Sequence, residues 1–147
     1  MTLHEFLAQN HRFGWGGQGV AHPADPEGRL YNDCISFPAS WIWDQTGIDV
    51  VSEYRGTYHN KEQADAIISA AGGLVNLAGR QLALVSAKRV QEPRPGDIGV
   101  IVAPIGTSEQ VHIGGICFGP VWAFITPGRV LARRAEVVAA WSVPACG

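Results

Sequence analysis

Charge is scarce in this 147-residue sequence: 16% of residues are Asp, Glu, Lys or Arg, and 11 basic residues against 13 acidic ones leave a net charge of −2. The longest basic runs are the pairs Lys88-Arg89 and Arg133-Arg134. Neither forms a stripe able to neutralise several phosphates, so no nucleic acid is expected as a partner. Long apolar runs are lacking too. The stretches around Val100 and from Val111 to Phe118 fall far below the ~20 residues a spanning helix needs, so no membrane span is expected. The N-terminus opens with His4 and Glu5 and lacks the basic-then-apolar layout of a secretory signal, so export by a signal peptide of its own is not expected. Cysteine is sparse: Cys34, Cys117 and Cys146 make an odd count at wide spacing. A disulfide framework wants a denser, even set and a zinc site wants close pairs. The expectation is three reduced thiols, at least one of them buried as a small apolar side chain. His4, His11, His22 and His59 show no ligand spacing, and no metal or cofactor is implied.

What is present is the material of one ordinary domain over residues 1–147. The 46% hydrophobic content is far from the profile of a disordered chain, and a chain of this length buries roughly two-thirds of its unfolded surface. With 18 glycines and 9 prolines, many turns are expected between regular elements. Thr2 with Glu5 makes a capping box ahead of Leu3, Phe6 and Leu7, which predicts a helix ending near Asn10. Phe13 to Gly28 reads as an irregular loop broken by Gly14, Gly16, Gly17, Gly19, Pro23 and Pro26. From Asn32 to Thr46 the chain is apolar, with Ile35, Phe37, Trp41, Ile42 and Trp43, and reads as a buried helix stopped by Gly47. Pro38 leaves its start open. With Asp33 as cap, Pro38 falls in the second turn; with Ser36 as cap, Pro38 is tolerated and Cys34 lies just outside the helix. Asn60–Ala71 is a second helix, capped by Asn60 with Gln63 and stopped by Gly72-Gly73, and a short one follows from Leu74 to about Leu84. After Pro93 and Pro95 the pattern turns to strands at Ile98–Val102, Val111–Phe118 and Val121–Thr126. Ala132–Ala140 reads as a helical turn or two, and Trp141–Val143 as a last edge strand. The fold class is therefore α+β, with N-terminal helices packed on a small antiparallel sheet.

A thiol serves as a nucleophile near neutral pH when a helix N-terminus and an imidazole lower its pKa. Asn32-Asp33-Cys34 opens the buried helix, where free N–H groups would favour a thiolate. His112, on a predicted strand, is suited to take the proton and return it to a leaving amine. Alternation places Cys117 on the opposite strand face from His112, as a core residue. Asp97, after Pro-Gly, is read as a turn residue. Trp15, Trp41, Trp43 and Trp122 are read mostly as core, with a substrate cleft as the alternative for Trp15 in its glycine-rich loop. Tyr54–Tyr58 is read as a surface loop, with Arg55 paired to a partner or to an internal carboxylate.

Four pieces occur in order: Phe13-Gly14-Trp15-Gly16-Gly17, then Asp33-Cys34, then Arg94-Pro95-Gly96-Asp97 before a strand, then His112-Ile113-Gly114-Gly115-Ile116 ending at Phe118-Gly119. This series resembles the NlpC-type peptidases of the papain-like class over about residues 11 to 126. The long helix after Asp33-Cys34, the Tyr54-Arg55-Gly56-x-Tyr58 segment and Gly72-Gly73-Leu74 look like a small phage and prophage family associated with tail tips. The resemblance implies a papain-like fold, Cys34 as nucleophile, His112 as general base, and Thr126 as the nearest polar residue for the third, orienting position, where that family more often has His, Asn or Gln. It places Phe13 and Trp15 at the substrate side, with Phe13 standing where a tyrosine is usual and Ile35-Ser36 where Ser-Gly is usual. The implied function is a thiol hydrolase of amide bonds in peptidoglycan stem peptides, made in the host cytoplasm and carried in the virion at the tail tip among other tail-tip proteins. The departures favour an alternative, an inactive structural tail-tip or assembly protein that keeps the peptidase fold. A third class, a hydrolase or acyltransferase directed at other host amides or esters, follows from related folds.

Overall fold

Apart from two three-residue strands after the first helix, helices come first and strands after in the computed structural model, which describes residues 1–18, 23–104 and 111–144. Gly19, His22 and Cys146 lie outside the described residues. Helix α1 (Leu3–Leu7) starts at the expected capping box: the Thr2 hydroxyl accepts from the Glu5 amide at 3.1 Å, and the Glu5 carboxylate reaches back to that hydroxyl at 3.0 Å. It ends before Asn10 because the chain turns into strand β1 (His11–Phe13), which pairs in parallel with β2 (Leu30–Asn32). Three-residue strands are too short to show a period, so nothing in the local pattern marks either of them.

Helix α2 (Ser36–Thr46) closes on Gly47 in the left-handed region at φ 77°, a conformation glycine adopts without penalty. Helix α3 (Lys61–Ala70) is capped by Asn60, whose carbonyl oxygen accepts from the Gln63 amide at 2.8 Å. Gly72 and Gly73 then turn the chain into α4 (Leu74–Leu82), which ends in one 3₁₀ turn at Ala83–Val85. No single helix among the described residues is long and apolar enough to cross a membrane.

The sheet has six antiparallel strands: β3 (Lys88–Val90), β4 (Ile98–Val102), β5 (His112–Phe118), β6 (Val121–Ile125), β7 (Val130–Arg133) and β8 (Val137–Ser142), in the spatial order β3-β8-β4-β5-β6-β7. The chain is α+β, as expected. The tail differs from its sequence reading. Residues 132–140 hold strand rather than helical turns, and Trp141 belongs to β8, which lies between β3 and β4 instead of at an edge. Three successive β8 residues, Ala139, Ala140 and Trp141, are all buried. A strand covered on both faces shows no alternation, so its period was hidden.

One sheet face carries Ile98, Val100, Ile116, Ala123, Ile125, Ala139 and Trp141 against Phe37, Trp41 and Ile42 of α2 and Leu74, Leu77 and Leu82 of α4. The other buries Ile101, Cys117, Trp122, Phe124 and Ala140 with Ala135, just past β7, packed against them. Cys117 is thus a core thiol. The Arg94–Asp97 turn is structural: the Asp97 carboxylate accepts from the Arg94 amide at 2.8 Å, and the Trp41 indole N–H donates to the Gly96 carbonyl at 2.9 Å. That last bond fastens α2 to the sheet.

Candidate functional site

The turn Asn32-Asp33-Cys34 is built around a carboxylate with no solvent exposure. One Asp33 oxygen accepts from the Ile35 and Ser36 amides, both at 2.9 Å, and the other from the Gly16 amide at 2.9 Å. The Asp33 amide in turn donates to the Ser36 hydroxyl at 2.9 Å. Asp33 is therefore the working cap, although the regular helix starts only at Ser36. Pro38 can sit third in that helix because the one bond it cannot make, to the Cys34 carbonyl four residues back, is left open. Both alternatives left by the sequence hold in part: Asp33 caps, and Cys34 lies just outside the regular helix.

That freed carbonyl lies on strand β5. A methyl group at Gly114 would come within 2.6 Å of the Cys34 carbonyl oxygen and 2.9 Å of Pro38 Cγ. Only glycine lets the helix start approach this closely. Gly114 faces the helices with Ile116, and alternation puts His112, two residues earlier, on that same face. The fold thus brings Cys34 and the strand bearing His112 together on one side of the sheet.

Their chemistry is less prepared than their placement. Cys34 is a free, half-buried thiol. Burial, then the adjoining Asp33 carboxylate, push its pKa up to about 12, with Asp65 adding to the rise while its own backbone N–H and Lys61 oppose it. The expected lowering by the helix end does not occur in this arrangement. Burial is the larger cause, and at this helix start the Ile35 and Ser36 amides are already bonded to Asp33. His112 is exposed at the start of β5 opposite Val102. Among the described residues, its imidazole and the Cys34 sulfur have no hydrogen-bonded side-chain partner.

Thr126 does not orient that imidazole. Its hydroxyl donates to the Arg129 carbonyl at 2.9 Å and accepts from the Gly128 and Arg129 amides at 3.3 and 3.2 Å, closing the β6–β7 turn. Thr-Pro-Gly-Arg is a hydroxyl-stabilised turn, a signal that was available in the sequence. Phe13 ends β1 with its ring edge-on to Trp15 at 4.9 Å. Trp15 is half-buried and lines an open cleft of about 640 Å³ with Tyr31, Pro23, Gly56 and His59.

Two residues of the Tyr54–Tyr58 segment are interior rather than surface. The Arg55 side chain is 10% exposed and grips Asp49 with two bonds of 2.7 and 3.1 Å. It also donates to the Gly17 carbonyl and the Ser40 hydroxyl, and lies 5.0 Å over the Trp43 ring. The internal carboxylate expected for Arg55 is thus Asp49. Tyr58 is 3% exposed, its backbone carbonyl is pressed against Gly16, and burial, then the Asp33 charge, push its pKa up. An arginine between two tyrosines in a glycine-containing turn reads as polar surface, and only the long-range partners reveal its burial.

Among the described residues no group of three or more His, Cys, Asp or Glu could hold a metal ion. A family model described as a domain of unknown function (DUF6950) matches residues 2–143. No curated protein and no solved structure gives a match.

Proposed function

The chain belongs to the family of domains of unknown function DUF6950, and on that premise we propose that it is an NlpC-type, papain-like thiol hydrolase of amide bonds, with peptidoglycan stem peptides as substrate and a phage tail tip as its setting. The observation that carries this reading is the close approach at Gly114, which sets the Cys34 turn against the strand face that bears His112. With its pKa pushed up to about 12 the resting thiol is neutral, so attack needs a base at the moment of reaction. His112, exposed at the start of β5, supplies it. The imidazole takes the Sγ proton as the S–C bond forms and gives it to the leaving amine as the C–N bond breaks. Water then hydrolyses the thioester and restores the thiol. The tail-tip setting, with neighbouring tail proteins as partners, rests on the resemblance carried by Tyr54-Arg55-Gly56-x-Tyr58 and Gly72-Gly73-Leu74.

A second reading, a structural module that keeps the fold without turnover, draws support from the neutral thiol and from the Thr126 hydroxyl being held in its own hairpin. One experiment separates the two. Purified peptidoglycan should release stem-peptide fragments that Cys34→Ala fails to release. No release by the wild-type chain would leave the structural module standing.

A further inference from the structure

We infer that the cleft beside the Cys34 turn, walled by Trp15 and Tyr31, is a binding site for a neutral sugar ring. The inference deepens the hydrolase reading and rests on it for one point only, that the occupant is the glycan carrying the stem peptide. The site itself stands on geometry separate from the thiol.

The cleft holds about 640 Å³, within the ~300–1,000 Å³ usual for small-molecule sites. Its floor is the glycine loop after β1, and sterics keep that loop thin. A methyl at Gly14 would lie 3.1 Å from Tyr31 Cβ, one at Gly16 would strike the Tyr58 carbonyl, and one at Gly17 would strike the Ser36 hydroxyl. Tyr31 lies on β2 between the buried Leu30 and Asn32, so alternation turns its ring away from their side. Trp15 stands on the loop with the Phe13 ring edge-on to it at 4.9 Å, a contact that holds the indole before a ligand arrives. The Gly16 amide of the same loop donates to Asp33 at 2.9 Å. The cleft and the Cys34 turn thus share one loop.

Charge and polar edges select the ligand. Arg55 carries the one fixed charge among the described lining residues, and its guanidinium is engaged by Asp49, the Gly17 carbonyl and the Ser40 hydroxyl. A carboxylate or phosphate therefore finds no free cation to offset its desolvation. A wholly apolar ligand fits no better. The Trp15 indole N–H, the Tyr31 hydroxyl and the His59 imidazole make no hydrogen bond among the described residues, and such a ligand would cover them unpaired. What fits is a neutral molecule with an apolar face and hydrogen-bonding edges. A pyranose ring has both. Its C–H groups lie on the negative face of an aromatic ring, and its hydroxyls or an acetamido group meet the polar tips around the rim.

The test is an NMR titration of the nitrogen-15-labelled chain with chitotetraose, a neutral chain of N-acetylglucosamine units. The chain has five tryptophans, and the Trp15 indole N–H resonance is the one missing from Trp15→Phe. Chitotetraose should shift that resonance saturably and leave the Trp41 indole, bonded internally to Gly96, in place. Trp15→Ala should weaken binding about tenfold, and Tyr31→Phe, which keeps the ring and removes only the hydroxyl, about threefold. A sugar-free stem peptide, added to Cys34→Ala to prevent turnover, should leave the Trp15 resonance unmoved. An unmoved Trp15 resonance with chitotetraose, full binding by Trp15→Ala, or an equal shift with the sugar-free peptide would overturn the inference. If urea denaturation shows that Trp15→Ala has lost its fold, Tyr31→Phe alone decides, and wild-type affinity in it counts against the site. Release of fragments from peptidoglycan is scored separately. Sugar binding without release would strike at the hydrolase reading and leave this site standing, whereas release without sugar binding would do the reverse.

Discussion

Gly114→Ala adds one methyl group at the point where helix and strand meet. That methyl would lie 2.6 Å from the Cys34 carbonyl oxygen and 2.9 Å from Pro38 Cγ, whereas even favourable C···O contacts sit at about 3.3–3.6 Å. Neither neighbour is the end of a flexible side chain: one is backbone and the other is a ring closed onto backbone. The start of α2 and strand β5 must therefore separate by several tenths of an ångström. Overpacking of this kind costs about 1–3 kcal/mol, offset by about 0.4–1 kcal/mol because alanine restricts the unfolded chain. The net expectation is a loss of about 1–2 kcal/mol. Gly79→Ala on α4 is the control, since its methyl would meet Trp141 at an ordinary 3.8 Å, and helix propensity should make it more stable by about 0.5–1 kcal/mol. Urea denaturation of the two variants beside wild type measures both numbers, and Cys34 alkylation reports whether the turn has moved. A Gly114→Ala protein as stable as wild type, with Cys34 reacting at the wild-type rate, would refute the close approach and with it the argument that Cys34 and His112 share one face.

His11 should make stability fall in mild acid. Its Nε2 lies 2.6 Å from the Phe6 carbonyl and its Nδ1 is buried with no partner among the described residues, and burial lowers its pKa despite that bond. The unfolded chain then binds more protons, so the contribution is complete above the unfolded value of about 6.5 and is lost as pH falls through the folded value. Urea midpoints at two pH values either side of that window should show this slope, and His11→Gln should flatten it. Arg55→Ala should cost about 3–5 kcal/mol by leaving the 9%-exposed Asp49 carboxylate unpaired; a loss under about 1 kcal/mol in urea denaturation would show that the pair is not buried in solution. His112→Ala, at an exposed position, should leave stability within about 0.5 kcal/mol of wild type yet abolish peptidoglycan release. Retained release would remove His112 from the reaction.

How much of this was legible beforehand depends on the range of the interaction. Thr2 with Glu5, Asn60 with Gln63, and Gly47 act within one turn, and each marked its helix end correctly. Strands β4, β5 and β6 showed because each is a run of apolar residues bounded by Gly or Pro. β8 did not, because its residues are covered from both sides and carry no period. Parallel β1 and β2 did not, because their partner is 17 or more residues away and each is only three residues long.

The site divides along the same line. Cys34 and His112 could be singled out because a thiol at a helix start and a histidine on a strand are local statements. Whether the thiol is acidic is not a local statement. Asp33 both caps the helix and bonds the Gly16 amide, so the N–H groups that a bare helix end would offer to the sulfur are already engaged, and a negative charge stands beside it instead. The Gly16 amide that the same aspartate holds lies 17 positions before it, in a loop the sequence presents as irregular. A helix N-terminus therefore favours a neighbouring anion only to the extent that its cap leaves donors free. Here burial, and after it the carboxylate cap, raise the thiol's pKa instead, and on the proposed hydrolase reading the task of activating Cys34 falls to the His112 imidazole.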